Sequence, residues 1–347
     1  LSSIEACDKA NKKSFSFDFD TMIKKLKYGL FYRFKKSNNS SEMWLLYFHL
    51  HIFELTNNLD ILTSDDFDGA YDILKNCQSV IGGFSELPLG YSGIVSSYPA
   101  VCCVGILGTE KFYDLVDRKS MLNFLKKSKH EKGYFVSSMD EDTDLRPTFC
   151  ALAIAKMLML PDWDILIKDV KQYVLECQNY EGGFGAMPGG EAHSGYTYCA
   201  CAILSMLNAL DECNIDSLIN WIKQRQSLSE GGFNGRTCKV ADSCYTFYIG
   251  STIRILSQHT NQDISNFFDE MKLYTFLKCC YDEDDLYFAK NPMFISDIYH
   301  NCYTLAGASI LGIDKFKEFI NFNNDEVFNI TKEKLDKMQE YFRNKNV

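Results

Sequence analysis

A short turn signature recurs five times along the chain, as Gly82-Gly83-Phe84, Gly133-Tyr134-Phe135, Gly182-Gly183-Phe184, Gly231-Gly232-Phe233 and Leu286-Tyr287-Phe288. The five phenylalanines stand 51, 49, 49 and 55 residues apart. A length of 347 residues would otherwise suggest two domains. Self-similarity at a period near 50 points instead to stacked copies of one supersecondary unit. Ahead of three turns lies a similar helix end, Asn76-Cys77-Gln78, Glu176-Cys177-Gln178 and Arg225-Gln226-Ser227. After four turns a second helix opens with a small hydroxyl and an aromatic, as Ser97-Tyr98, Thr148-Phe149, Thr197-Tyr198 and Thr246-Phe247. Apolar residues in those second helices recur at three and four, the α period, around most of the circumference, so they are expected to be buried on all sides. The first helices, such as 214–225, are amphipathic. Fully buried inner helices with amphipathic outer ones predict an all-α fold, a closed α/α toroid. Residues 1–20 read as an N-terminal extension and 21–347 as one toroid domain. Residues 329–343 are expected to add a solvent-facing helix.

Composition narrows the function. Lys and Arg number 36 against 46 Asp and Glu, a formal charge of −10, which disfavours a duplex nucleic-acid binder. The uncharged run 194–210 is broken by Ser, Gly, Tyr, Thr and Asn and does not read as a membrane span. Residues 1–20 carry no secretory pattern. Fourteen cysteines, most of them in apolar helical stretches, read as reduced core residues of a cytoplasmic protein.

Reading the repeats in register aligns Asp144, His193, Asp242 and Asp297 at the start of the inner helix, with Arg146, Gly195, Cys244 and Tyr299 two residues on and Pro147, Tyr196, Tyr245 and His300 three residues on. In a ring, equivalent slots share one rim and face a common centre. N-capping accounts for an Asp at such a slot, but not for His193, Cys244, Tyr245 and His300 together. Asp242, Cys244 and His300 form an O, S, N set that leaves a fourth tetrahedral position open, the arrangement of catalytic zinc. A helix start would also favour the Cys244 thiolate. His193, Arg236, Lys239 and Tyr245 supply cations and donors suited to a diphosphate leaving group. The acidic runs Asp140-Glu141-Asp142-Thr143-Asp144 and Asp282-Glu283-Asp284-Asp285 lack a DDxxD or DxDD spacing and read as solvated loops.

Several segments carry a closer resemblance: residues 177–184 (CQNYEGGF), residues 191–199 (EAHSGYTYC), residues 230–239 continuing into Asp242-Ser243-Cys244-Tyr245, and Asp297-Ile298-Tyr299-His300. In order along the chain they resemble the β subunits of protein farnesyltransferases, with weaker matches at residues 44–48, 108–114 and 327–330. The resemblance implies a zinc enzyme. It would transfer farnesyl from farnesyl diphosphate to the Cys thiol of a C-terminal CaaX motif, with Asp242, Cys244 and His300 on zinc and Tyr245 and Lys239 at the reacting centre. It implies His193, Arg236, Lys239 and Tyr245 as diphosphate ligands and Arg146, Tyr196, Cys199 and Tyr248 as the wall around the isoprenoid. Trp44, Phe48 and Tyr299 would shape the peptide pocket. Phe48 and Tyr248 stand where the family usually has Trp, Phe149 where it has Tyr, and Asp285-Leu286 where it has a Gly pair. By the same resemblance Trp44 and Tyr303 shorten the lipid pocket and count against the geranylgeranyltransferase type I β subunit. Lys290 stands where farnesyltransferases carry a magnesium-supporting Asp, so Mg2+ is expected not to be strictly required. The implied partners are an α subunit in a heterodimer and CaaX-terminated proteins such as small GTPases. No stable membrane insertion is expected. A terpene cyclase on the same ring fold and a non-enzymatic scaffold are the rival classes.

Overall fold

The computed structural model describes residues 17–36, 42–137, 144–345 and 347. The expected extension up to residue 16 and the acidic residues 140–143 lie outside the described residues. Six inner helices carry the architecture: α1 (Glu42–Leu55), α2 (Ile94–Leu107), α3 (Leu145–Met157), α4 (Ser194–Met206), α5 (Tyr245–Thr260) and α6 (Ile298–Leu311). Each packs on the next, and α6 packs back on α1, which closes the toroid. The outer helices include Ser64–Cys77, Arg118–Ser128, Val170–Glu176, Ile215–Lys223 and Glu270–Cys280. The inner helices are apolar on every face because an outer helix or a neighbouring inner helix covers each one. In α2 every residue but Val95 is buried.

The turn signature has a mechanical basis. Its phenylalanine is buried in all five repeats (Phe84, Phe135, Phe184, Phe233 and Phe288). Two residues earlier the backbone needs positive φ, met by Gly82, Gly133, Gly182, Gly231 and, in the fifth repeat, Leu286 at +63°. A Cβ at Gly182 would lie 2.2 Å from the Ser217 carbonyl oxygen of the next outer helix, so that turn admits glycine alone. The small hydroxyl of the inner helix accepts the phenylalanine N–H: Ser97 Oγ from Phe84 (2.8 Å), Thr148 Oγ1 from Phe135 (3.0 Å) and Thr197 Oγ1 from Phe184 (3.0 Å). In the fourth repeat the equivalent Thr246 hydroxyl is buried without a partner.

That fourth repeat departs from the others at its helix start. The N–H groups of Tyr245, Thr246 and Phe247 donate to the carbonyls of Asp242, Ser243 and Cys244, a 3-10 lead-in to α5. A Cβ on Gly307 of α6 would meet the Thr246 carbonyl carbon at 2.2 Å, so the two backbones touch there. This contact lies about two and a half turns into α6 and beside the first turn of α5.

The C-terminal helix Lys332–Arg343 is not simply solvent-facing. Leu335, Met338 and Phe342 are buried against α2 and α3, because the closed end of the ring leaves apolar surface for an amphipathic helix to cover. Ahead of the expected domain start, Phe17 and Phe19 pack on Phe316 (4.9 Å between centroids for Phe17) and Phe319 (4.4 Å, stacked, for Phe19). Among the described residues no helix is long and apolar enough to cross a membrane, and every described cysteine except Cys238 and Cys279 is buried.

Candidate functional site

A cavity of about 480 Å³ opens inside the ring, within the ~300–1,000 Å³ of small-molecule pockets. An unbroken belt of aromatic rings encircles it. Centroid separations run Trp44–Tyr98 6.1 Å, Tyr98–Phe149 5.4 Å, Phe149–Tyr198 5.2 Å and Tyr198–Tyr248 5.9 Å. They continue Tyr248–Tyr303 5.2 Å, Tyr303–Phe48 5.8 Å and Phe48–Trp44 5.7 Å. Every inner helix supplies a member, which is why an aromatic follows the hydroxyl in the repeat signature. In α5 both Phe247 and Tyr248 line the cavity, and Phe247 also bridges Tyr198 (4.9 Å) and Tyr303 (5.1 Å). The expected wall and pocket residues Trp44, Phe48, Arg146, Phe149, Tyr196, Cys199, Tyr248, Tyr299 and Tyr303 all line this cavity, with His193, Cys244 and Tyr245. The register reading missed Tyr98, Tyr198 and Asn329, which line it too.

At the rim, one ligand atom each from Asp242, Cys244 and His300 lies within 4.8 Å of the others. His300 Nε2 is 3.4 Å from Asp242 Oδ1, while its Nδ1–H donates to Asp297 Oδ2 at 2.6 Å. The carboxylate of Asp297 also caps α6 by accepting the His300 N–H. Asp297 therefore fixes the ring and leaves Nε2 for a metal. Burial alone would depress the His300 pKa, but the Asp242 and Asp297 carboxylates outweigh it and raise it to about 9. The Asp242 carboxyl is lowered by His300 and the Cys244 N–H against the opposing effect of burial. Contrary to the expected helix-start effect, the Cys244 thiol is pushed far above its usual range, first by burial and then by the Asp242 carboxylate. A divalent cation reverses that sign, since thiolate and carboxylate would both face positive charge. The O, S, N donor set, its spacing and the oriented imidazole fit zinc.

Lys290 stands against this cluster, and Arg236 and Arg146 lie near His193 beside it. His193 Nδ1 accepts the Gly195 N–H at 3.1 Å, so His193 does act as an N-cap, contrary to the register reading. This places its proton on Nε2, 3.1 Å from the Tyr245 hydroxyl. Burial, reinforced by Arg236, lowers the His193 pKa and keeps the ring neutral. Gly235 makes room for Tyr245, whose hydroxyl would be 2.2 Å from an added Cβ. Arg236 is ion-paired to Glu191, and Lys239 is exposed on the same loop, ahead of Asp242. Ser243 donates from N and Oγ to the carbonyls of Lys290 (2.8 Å) and Ala289 (2.7 Å). That pairing sets Lys290 Nζ 3.8 Å from Asp242 Oδ2. Arg146 is paired bidentately to Asp144, with its Nη2 2.6 Å from Oδ2. The run at 282–285 is engaged elsewhere. Asp282 Oδ1 accepts the N–H groups of Asp284 and Asp285, and Asp285 pairs with Lys25 at 2.9 Å.

Comparison with known proteins agrees with this geometry. The model of the prenyltransferase alpha-alpha toroid domain matches residues 21–341. The chain is 30% identical over 334 residues to protein farnesyltransferase subunit beta of Arabidopsis thaliana, covering 79% of this chain and 68% of that protein. It is 34% identical over 250 residues to geranylgeranyl transferase type-1 subunit beta of the same plant, covering 68% and 64%. It spans 58% and 50% of the farnesyltransferase β subunits of Pyricularia oryzae and Pisum sativum. The solved Candida albicans protein geranylgeranyltransferase-I superposes with a TM-score of 0.80 at 22% identity, over 94% of this chain and 100% of that one. The chain belongs to the prenyltransferase alpha-alpha toroid family, among the β subunits of protein prenyltransferases.

Proposed function

We propose that the chain is the catalytic β subunit of a zinc-dependent protein farnesyltransferase, carrying farnesyl from farnesyl diphosphate to the Cys thiol of a C-terminal CaaX motif. One observation carries the reading: an Asp-Cys-His ligand cluster at the rim of an aromatic-belted cavity, flanked by cations. Asp242, Cys244 and His300 would hold zinc, which supplies a thiolate nucleophile from the peptide cysteine near neutral pH. The belt takes the isoprenoid, excludes water and directs C1 toward the rim. As the sulfur–C1 bond forms and the C1–oxygen bond breaks, the diphosphate leaves with both electrons. His193 Nε2–H, the Tyr245 hydroxyl, Arg236 and Lys239 stabilise that charge, Arg236 exchanging Glu191 for the diphosphate. Lys290 adds a fixed ammonium, so the reaction needs little Mg2+. The product is a thioether.

The chain would work in the cytoplasm as a heterodimer with a helical-repeat α subunit, on CaaX-terminated proteins such as small GTPases. It would have no role in nucleic-acid binding and no stable membrane insertion. A geranylgeranyltransferase type I β subunit is the second reading, favoured by the 34% identity to that subunit in Arabidopsis. Trp44 and Tyr303, both in the belt, count against it by narrowing the cavity. A terpene cyclase is disfavoured because no acidic residue stands among the described residues that line the cavity. Co-expression with farnesyltransferase-type α subunits, followed by transfer assays with each prenyl diphosphate and a CaaX peptide, tests the reading. Absence of thioether with every lipid contradicts it.

A further inference from the structure

The closed end of the cavity is sealed by a segment that belongs to no repeat hairpin. Three consecutive carbonyls accept hydrogen bonds from tyrosines of three inner helices. Tyr198 donates to Val327 (2.7 Å), Tyr98 to Phe328 (2.8 Å) and Tyr47 to Asn329 (2.7 Å). Below them, Glu54 Oε1 accepts from the N–H (3.0 Å) and hydroxyl (2.6 Å) of Thr331. The Asn329 side chain is gripped from two sides, its Oδ1 3.1 Å from His51 Nε2 and accepting from Asn324 Nδ2 at 2.8 Å. Asn329 is 1% exposed, has φ +49° and lines the cavity. A polar side chain held this firmly against an apolar tunnel cannot move aside for a longer hydrocarbon. A hydrocarbon pressed on it would also strip hydrogen bonds from a buried amide without replacing them.

We infer that Asn329, pinned with its segment by Tyr47, Tyr98 and Tyr198, is a length gauge: a specificity residue that stops the isoprenoid at the cavity floor, independently of the belt residues Trp44 and Tyr303. The inference rests on the prenyl-transfer reading but not on farnesyl being the preferred lipid. At φ +49° glycine is unstrained, so Asn329→Gly removes the floor side chain while the carbonyl pinning stays available. Tyr47 does not line the cavity, so Tyr47→Phe loosens the floor without reshaping the wall.

The test measures kcat/KM for geranyl, farnesyl, geranylgeranyl and a C25 prenyl diphosphate with the co-expressed heterodimer, for wild type, Asn329→Gly and Tyr47→Phe. Each variant is first checked for folding by its thermal melt. The gauge predicts that Asn329→Gly raises the ratio for the next longer lipid over the wild-type optimum by at least about tenfold, the low end of what one methylene is worth in an apolar pocket. Tyr47→Phe raises it in the same direction by less. Ratios within about twofold of wild type in the folded variants would overturn the gauge. Should Asn329→Gly not fold, Tyr47→Phe alone decides by the same criterion. A wild-type optimum at geranylgeranyl would defeat the farnesyl reading and leave the gauge to be judged by the shift toward C25.

Discussion

His300 Nε2 lies 3.4 Å from Asp242 Oδ1, although the two residues open different inner helices. Ser243 holds the segments ahead of those helices together through the Lys290 and Ala289 carbonyls, and Asp297 aims the imidazole. The Asp-Cys-His cluster is thus assembled from two repeats rather than from one local loop.

Asp242→Ala, Cys244→Ala and His300→Ala should each lose zinc and cut peptide transfer by at least about a hundredfold, while prenyl diphosphate binding survives. Asp297→Asn should weaken zinc affinity about 10–100-fold, as loss of an orienting carboxylate does elsewhere. Metal content after dialysis and a fluorescent prenyl diphosphate titration check both. Zinc retained at full stoichiometry in two of the three alanine variants would remove the assignment.

Lys290 Nζ stands 3.8 Å from Asp242 Oδ2. Transfer by the wild type should be nearly flat against free magnesium, measured with a chelator that spares zinc. Lys290→Asp should slow the reaction and make it magnesium-responsive. A strong magnesium requirement in the wild type would contradict the role given to this ammonium.

The turn glycines and Leu286 share a backbone slot but not its crowding. Gly182→Ala brings a Cβ to 2.2 Å from a backbone oxygen at φ +102° and should cost about 2–4 kcal/mol. Leu286→Gly relieves positive-φ strain of roughly 1–2 kcal/mol, against glycine's entropy and the contacts of a partly buried side chain, so it should stay within about 1 kcal/mol of wild type. Urea unfolding of the two variants measures the contrast.

Burial raises the Asp325 carboxyl from 3.8 to about 6, with Glu326 adding to the shift; the Val327 and Phe328 N–H groups and Lys332 oppose it. Between these values the folded state holds the proton that the unfolded state releases, so this group's contribution to stability falls as pH rises from about 4 to about 6, then levels. Asp325→Asn keeps an Oδ1 acceptor for the Val327 and Phe328 N–H groups and removes the titration. Its stability relative to wild type should climb over the same window, by at most about 3 kcal/mol. A difference that stays constant with pH would refute the assignment.

The ring and the Asp-Cys-His cluster were legible because they rest on repeated slots, while the expected wall residues came from the resemblance, and the slot aromatics Tyr98 and Tyr198 were read as part of the repeat signature and not as wall. Much of the rest lies outside that register. The 3-10 lead-in to α5 lies against Gly307, a contact between distant residues. The floor is held through the carbonyls of Val327, Phe328 and Asn329, and backbone acceptors leave no mark in residue type. His193 reads as a ligand in register, yet its Nδ1 also caps α4. The pairing of Arg236 with Glu191 joins two rim segments that no spacing connects.

The central claim is tested most directly by offering the purified heterodimer farnesyl and geranylgeranyl diphosphate together, with a CaaX peptide, and weighing the thioether products by mass spectrometry. The account predicts that the wild type makes chiefly the farnesyl thioether and that Trp44→Thr shifts product toward geranylgeranyl, since each added methylene buried in the opened wall is worth ~0.8 kcal/mol. A wild type that makes chiefly the geranylgeranyl thioether would contradict it.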